Sequence, residues 1–420
     1  MGGVATERPP EATPDAQPRA PERAPSDWKP ARWRGPSRWK RRLKRALLVL
    51  VVLALIGGSV ATVLVQRAAD DGAPDAVAAA APQKVSAPVR RALQGLSLPQ
   101  RVDAVIVAGV AGIGDAEAQL RKAQLGGVLI SSQAWAEGGR AGIERLRTAA
   151  TAGGPIAPLI TAVQEGGTYR AYPDLPPAAR ELEIGEIADP ALAERSARQA
   201  AAVMRRAGFD LNLAPVADVA TIDSPVADRA YSDDPALVAS LVAAAMRGCH
   251  TGGLACAPSH FPGLGGASAD TAQGPATVSL DSASLQARDV PPFAAAFEAG
   301  APAVVLSLAL YATYDPVTPG ALSPAIATDL LRGELGYEGV AITDDLSSGA
   351  VAAGIGAPDA AVRALRAGAD MVVVSDPEQA ARARQAVLEA ATAGRLSPAR
   401  LDEAVARVLT LKRRRGLYTG

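Results

Sequence analysis

The sequence predicts a (β/α)8 barrel, and three observations point there. From about residue 96 onward, short apolar runs alternate with Ala/Leu/Arg-rich helical stretches. Eight such runs occur over about 320 residues, most separated by enough chain for a helix, which suits a parallel sheet closed into a barrel. No GxGxxG opens a helix after the first run, which weakens the alternative of a doubly wound dinucleotide-binding sheet.

The chain begins differently. Residues 1–36 hold eight Pro and no hydrophobic period, so residues 1–45 read as a disordered basic tail. Trp28 to Arg45 carries nine basic residues, no acid and three Trp (Trp28, Trp33, Trp39). Residues 46–65, ALLVLVVLALIGGSVATVLV, are uncharged and long enough for a bilayer core of roughly 30 Å. The basic run before them places the N-terminus in the cytoplasm and the Trp residues at the interface. We therefore expect a single-pass cell-membrane protein whose bulk is extracytoplasmic. A cleaved signal peptide is the alternative, with Arg41-Arg42 as a weak twin-arginine pair and Ala78–Ala81 as small residues for cleavage. Residues 66–95 read as an Ala/Pro-rich spacer before a 96–420 barrel domain.

The predicted strands are Ala104–Val107, Gly127–Ser131, Pro158–Val163, Asp210–Ala214, Leu254–Pro258, Ala303–Ser307, Val340–Thr343 and Met371–Val374. Among the helices are Ala191–Arg206, Asp234–Gly248, Ala360–Ala367 and Glu378–Thr392. Residues 397–418 form an amphipathic helix whose basic end, Lys412–Arg415, reads as a solvated cluster favourable to the helix dipole. Cys249 and Cys256 are the only cysteines. They read as two buried thiols rather than a bond, because a strand interior rarely offers disulfide geometry.

Composition excludes several functions. Net charge is zero overall, and residues 66–420 carry a net −7, which is no nucleic-acid profile. No Lys lies between Lys122 and Lys412, so a Schiff-base lysine is excluded from most of the folded region. Two His and two Cys make no His- or Cys-rich metal site, and no EF-hand-like run occurs. No cofactor is expected.

In a parallel barrel, chemistry sits at the carboxyl ends of the strands. The third predicted strand ends at Gln164–Gly167 with Glu165, and the fourth at APVADV with Asp218. Arg229 lies in the following loop. The fifth ends at Ser259–Gly266 with His260, and Asp270 lies just beyond. The seventh ends at Asp344, beside Asp345. Asp344 can be a helix N-cap or a ligand-facing carboxylate; its company favours the second. No phosphate cradle is evident, since SDPEQ follows the eighth strand. Several carboxylates with an Arg and a His suit a neutral polyhydroxylated ligand, and paired carboxylates can hydrolyse glycosides.

The ordered motifs QEGG, LAPVADV, DRAYSDDP, HFPGLGG, LRGELGYEGVAITDDLSSGAV and RALRAGADMVVV resemble glycoside hydrolase family 3, in its single-barrel β-N-acetylhexosaminidase branch. The resemblance spans about residues 96–418. It implies a (β/α)8 barrel and a retaining mechanism with Asp344 as nucleophile. It also implies Arg229 and His260 as sugar contacts, and Asp270 as the Asp of an Asp-x-His acid/base loop. Six positions depart from the family pattern: Val163 and Ser259 replace a sugar-binding Asp and Lys, Thr168 replaces an Arg, and Leu264, Leu308 and Ala272 replace His. Ala272 stands where the branch keeps its proton donor. Two readings follow: a hydrolase of N-acetylglucosamine-containing wall glycans, with Asp344 and Asp270 catalytic and Arg229, His260, Asp218 and Glu165 binding substrate, or a degenerate barrel that binds glycan or a partner protein without turnover.

Overall fold

The structure, a computed structural model, describes residues 85–352 and 354–418. The basic tail and the 46–65 apolar run lie outside the described residues. Among the described residues no helix is long and apolar enough to cross a membrane.

Eight strands form one parallel sheet: β1 (Ile106–Val110), β2 (Gly127–Ile130), β3 (Leu159–Ala162), β4 (Leu211–Asn212), β5 (Ala255–Cys256), β7 (Ala303–Leu306), β10 (Val340–Asp345) and β11 (Met371–Val374). Their spatial order is β5-β4-β3-β2-β1-β11-β10-β7. The two ends meet through the chain just beyond β5. Val305 N donates to Pro258 O (2.9 Å), Phe261 N to Val305 O (2.7 Å) and Ser307 N to Phe261 O (2.8 Å). This seam closes the barrel, as the β–α alternation predicts. A small accessory sheet joins β6 (Thr277–Val278), β8 (Leu310–Tyr311) and β9 (Asp315–Pro319).

Period-two geometry divides the strand side chains into two cores. Val107, Leu159, Leu211, Val305, Ile342 and Val373 share one buried cluster, which fills the barrel interior. Their neighbours Ile106, Ile160, Val304, Ala341 and Val372 share the other, packed outward against helices. Burial on both faces is why the strands read as continuous apolar runs. The C-terminal helix, Pro398–Arg414, sends Val408 and Leu411 into the interior cluster and so stops the end of the barrel opposite the strand carboxyl ends.

Several boundaries move. Ala104 ends a helix, Leu98–Ala104, so the first strand starts two residues later than predicted. The seventh barrel strand runs through Asp345, so Asp344 lies within it. The helix Ala87–Gln94 occupies part of the stretch read as spacer, and its Val89 is buried. Lys412 also differs from its reading as solvated. It is buried, and its Nζ donates to Leu125 O at 3.2 Å. A single-residue step, about 100° around the helix, separates it from the exposed Arg413.

Cys249 and Cys256 form a disulfide, with Cα atoms 6.1 Å apart, against the expectation of free thiols. The reason is local. The helix Pro235–Gly252 ends on Gly253 in the left-handed region (φ 80°), and this turn folds the chain straight back. β5 is only two residues long, so Cys256 lies beside the helix's last turn rather than deep in a strand.

Candidate active site

All parallel strands point their carboxyl ends to one face, so the polar groups that follow them converge there. The scaffold begins with Asp218, two residues past the Val216–Ser259 bridge. Its carboxylate is fully buried. Oδ1 accepts from the backbone amides of His260 (3.1 Å) and Leu264 (2.7 Å). Oδ2 lies 2.8 Å from His260 Nδ1. The HFPGLGG turn thus wraps a carboxylate, and its glycines make the fit possible. Gly263 has φ 130°, and a Cβ on Gly265 would sit 1.9 Å from Val219 O. With both oxygens engaged and no exposure, Asp218 holds His260 and presents no face to a ligand. This differs from its reading as a direct substrate contact.

Arg229 meets Glu165 in a fork. Nε donates to Oε2 (2.9 Å) and Nη2 to Oε1 (2.6 Å), the bidentate geometry that fixes a guanidinium plane. Arg229 Nη2 also lies 3.3 Å from His260 Nε2. Arginine only donates, so in the neutral ring Nε2 accepts and Nδ1 carries the proton toward Asp218. The result is a chain, Glu165–Arg229–His260–Asp218, of alternating charge and hydrogen bonding. Glu165 is buried within this fork, with both its oxygens engaged by Arg229.

Burial disfavours the charged form of Arg229, but Glu165 first, then Asp344 and Asp218, outweigh it and raise its pKa. His260 follows the same pattern. Burial opposes its protonation, Asp218 outweighs burial by charge and hydrogen bond, Arg229 pulls the other way, and Asp344 adds to the rise. The charge of Asp344 therefore bears on both groups. Asp344 is half-buried at the end of β10. Its Oδ1 accepts from Asp345 N (2.8 Å), and among the described residues it makes no ion pair. Asp345 instead turns to β11, accepting from Ser347 N and Ser375 N (both 2.9 Å) and from the Ser375 hydroxyl.

Asp270 stands apart. Its Oδ1 accepts from Ala272 N (2.9 Å), closing a turn within its own loop. That loop is nonetheless fastened beside Asp344, because Gly349 N and Ala350 N, just past β10, donate to Ala272 O and Thr271 O (both 3.2 Å). Ala272 itself is exposed. Leu264 and Leu308 are buried in the core, and Thr168 is exposed. The Ser259 hydroxyl is buried without a hydrogen-bond partner among the described residues.

Three positioning residues escaped sequence reasoning. Gln164 Nε2 donates to Tyr172 O and Leu175 O (both 3.0 Å), pinning the loop after β3. Asn212 exchanges two 2.9 Å bonds with the Gln164 backbone; an amide at a strand end was the available signal. Glu181 is buried behind Glu165, with Val216 N donating to its carboxyl at 3.0 Å. Burial first, then Glu165, push its pKa well up. Within ARELEIGEI it looks like any surface acid, so no signal could have found it.

Among the described residues no group of His, Cys, Asp and Glu could hold a metal ion. A closed parallel barrel gathering carboxylates, an arginine and a histidine above its strands suits the class of glycoside hydrolases. The chain belongs to glycosyl hydrolase family 3: residues 100–411 match the family's N-terminal domain. It is similar to the beta-hexosaminidase of Stenotrophomonas maltophilia (strain K279a), 38% identical over 252 residues, which are 58% of this chain and 74% of that one. It also resembles the solved family 3 beta-N-acetylglucosaminidase from Paenibacillus sp. str. FPU-7, with a TM-score of 0.72 and 31% identity over 78% of this chain. The match spans 64% of that longer chain. The beta-N-acetylhexosaminidase from Beutenbergia cavernae DSM 12333 aligns with a TM-score of 0.67 and 32% identity, covering 76% of this chain and 98% of that one.

Proposed function

We propose that the protein is a membrane-anchored, extracytoplasmic β-N-acetylhexosaminidase that cleaves N-acetylglucosamine-containing wall glycans with retention. The observation that carries this reading is Asp344: a carboxylate on a rigid strand end, without an ion pair among the described residues, whose charge bears on Arg229 and His260. In this reading Asp344 attacks the anomeric carbon, displaces the leaving-group oxygen and forms a glycosyl-enzyme. Water then hydrolyses the ester with a second inversion. Arg229 holds sugar hydroxyls, with His260 bracing it from behind, its ring nitrogens taken by Asp218 and Arg229. Glu165 sets the guanidinium plane and Asp218 the imidazole. Asp270 is assigned as the acid/base, on a loop fastened to the chain just past Asp344. The relatives' beta-hexosaminidase and beta-N-acetylglucosaminidase names support the substrate class. The disulfide supports an oxidising compartment, and the 46–65 run supplies the anchor.

A second reading, glycan binding without turnover, is favoured by Ala272, whose methyl group cannot donate a proton. General acid help is typically worth about 10²–10⁴-fold. A natural disaccharide leaves as an alkoxide and needs that proton; a nitrophenolate needs it far less. The test is turnover of both substrates by the purified full chain. Strong preference for the aryl glycoside fits Asp344 acting with a weak acid. Good turnover of the disaccharide means Asp270 or another group serves fully. Binding of N-acetylglucosamine fragments with no turnover of either would overturn the hydrolase reading.

A further inference from the structure

Six departures from the family pattern remove charged or imidazole groups from this face, two of them, Val163 and Thr168, on the loop after β3. The same loop carries an aromatic ring. Tyr169 is 39% exposed, among the few large apolar side chains left open to solvent in the described residues. Its ring centroid lies 5.7 Å from Arg229 Cζ, so one part of the ring rests on the guanidinium that Glu165 orients. The loop under it is stiff. Glu165 N donates to Tyr169 O (3.2 Å), Tyr169 N to Gly166 O (2.8 Å), and Gln164 bridges Arg170. Arg170 clamps the turn by donating to Gly167 O (2.7 Å) and Pro173 O (3.0 Å). A solvent-facing aromatic held this firmly at the mouth of a site is poorly explained by packing.

We propose that Tyr169 is the aromatic platform on which an N-acetylhexosamine ring stacks, beside Arg229, taking over binding that lost polar contacts no longer provide. The inference rests on the glycosidase reading. A pyranose presents a face of C–H groups and a rim of hydroxyls. A phenol ring offers a flat apolar face with a polar tip, and the adjacent guanidinium meets the hydroxyl rim.

The test compares Tyr169→Ala, Tyr169→Leu and Tyr169→Phe with wild type on an aryl N-acetylglucosaminide and a β-linked N-acetylglucosamine disaccharide. Stacking predicts KM three- to tenfold higher for the Ala and Leu variants, with kcat changed much less and melting temperature unmoved. Phe restores KM. Leu separates stacking from mere cover of Arg229, since it is bulky but has no flat face. If wild type binds without turning over, the same comparison is read as Kd of the disaccharide by calorimetry. Unchanged KM or Kd in Tyr169→Ala overturns the platform and leaves the glycosidase reading standing. So does a Leu variant equal to Phe. Absence of both binding and turnover in wild type overturns the two together.

Discussion

Replacing Lys412 with Met isolates the effect of a buried amine on stability. The Nζ has one carbonyl partner, Leu125 O, and lies under the barrel. Burial lowers its pKa from 10.5 to about 7, with Asp210 opposing. The unfolded chain keeps this lysine protonated up to its ordinary pKa, whereas the native protein releases the proton above about 7. Between those values the unfolded state binds more protons, so stability rises with pH. At about 1.36 kcal/mol per pH unit, the side chain contributes a gain of roughly 2–3 kcal/mol between pH 7 and pH 9. The full span to 10.5 is worth about 5 kcal/mol. Met keeps the length and the apolar stem but does not titrate. Urea unfolding of wild type and Lys412→Met at pH 7, 8 and 9 should show the slope in wild type alone. The absolute difference also contains the unpaired Leu125 carbonyl, about 1–3 kcal/mol, so the slope is the diagnostic. Parallel curves for the two proteins would refute a buried, neutral Lys412.

Asp344→Asn should abolish turnover with an unchanged melting temperature, while Asp345→Asn should retain more activity because that carboxyl binds β11 and Ser347; equal residual rates would remove Asp344 as nucleophile. Ala272→His should narrow the gap between aryl and natural substrates, within the roughly 10²–10⁴-fold that a general acid supplies; an unaltered ratio would show that this loop does not reach the leaving group. Cys249→Ala with Cys256→Ala should lower stability by about 2–3 kcal/mol, the value for so short a closed loop, measured by denaturant midpoint; no loss would mean the bond is absent in solution. Protease added to intact spheroplasts should digest the barrel domain, and protection would overturn the single-pass, outward topology.

The barrel was legible because doubly buried strands print as unbroken apolar runs, and the helices between them as amphipathic ones. What failed were places where a turn decides. Gly253 brings Cys256 onto a helix end, which no spacing of two cysteines reveals. Lys412 sits in a basic run and yet faces inward, because helical rotation alone separates it from Arg413. At the site, chain order placed Glu165, Arg229, His260 and Asp344 on one face. It did not show that Glu165 and Asp218 are occupied holding other groups, nor that Asp270 turns into its own loop. Those facts depend on the direction of single side chains, which no periodicity encodes.

The seam that closes the barrel has a bearing on how such an enzyme can change. Pro258, Phe261, Val305 and Ser307 join the two ends of the sheet through amides and carbonyls, so the residues flanking His260 hold the hoop by backbone alone. The Ser259 side chain takes no part in these rungs, its buried hydroxyl having no partner among the described residues, so a serine can stand there without loosening one. Chemistry at this corner can therefore erode, or be rebuilt from a neighbouring loop, while the architecture stays intact. A family built this way can be expected to yield silent members whose shape is no guide to whether they still cut.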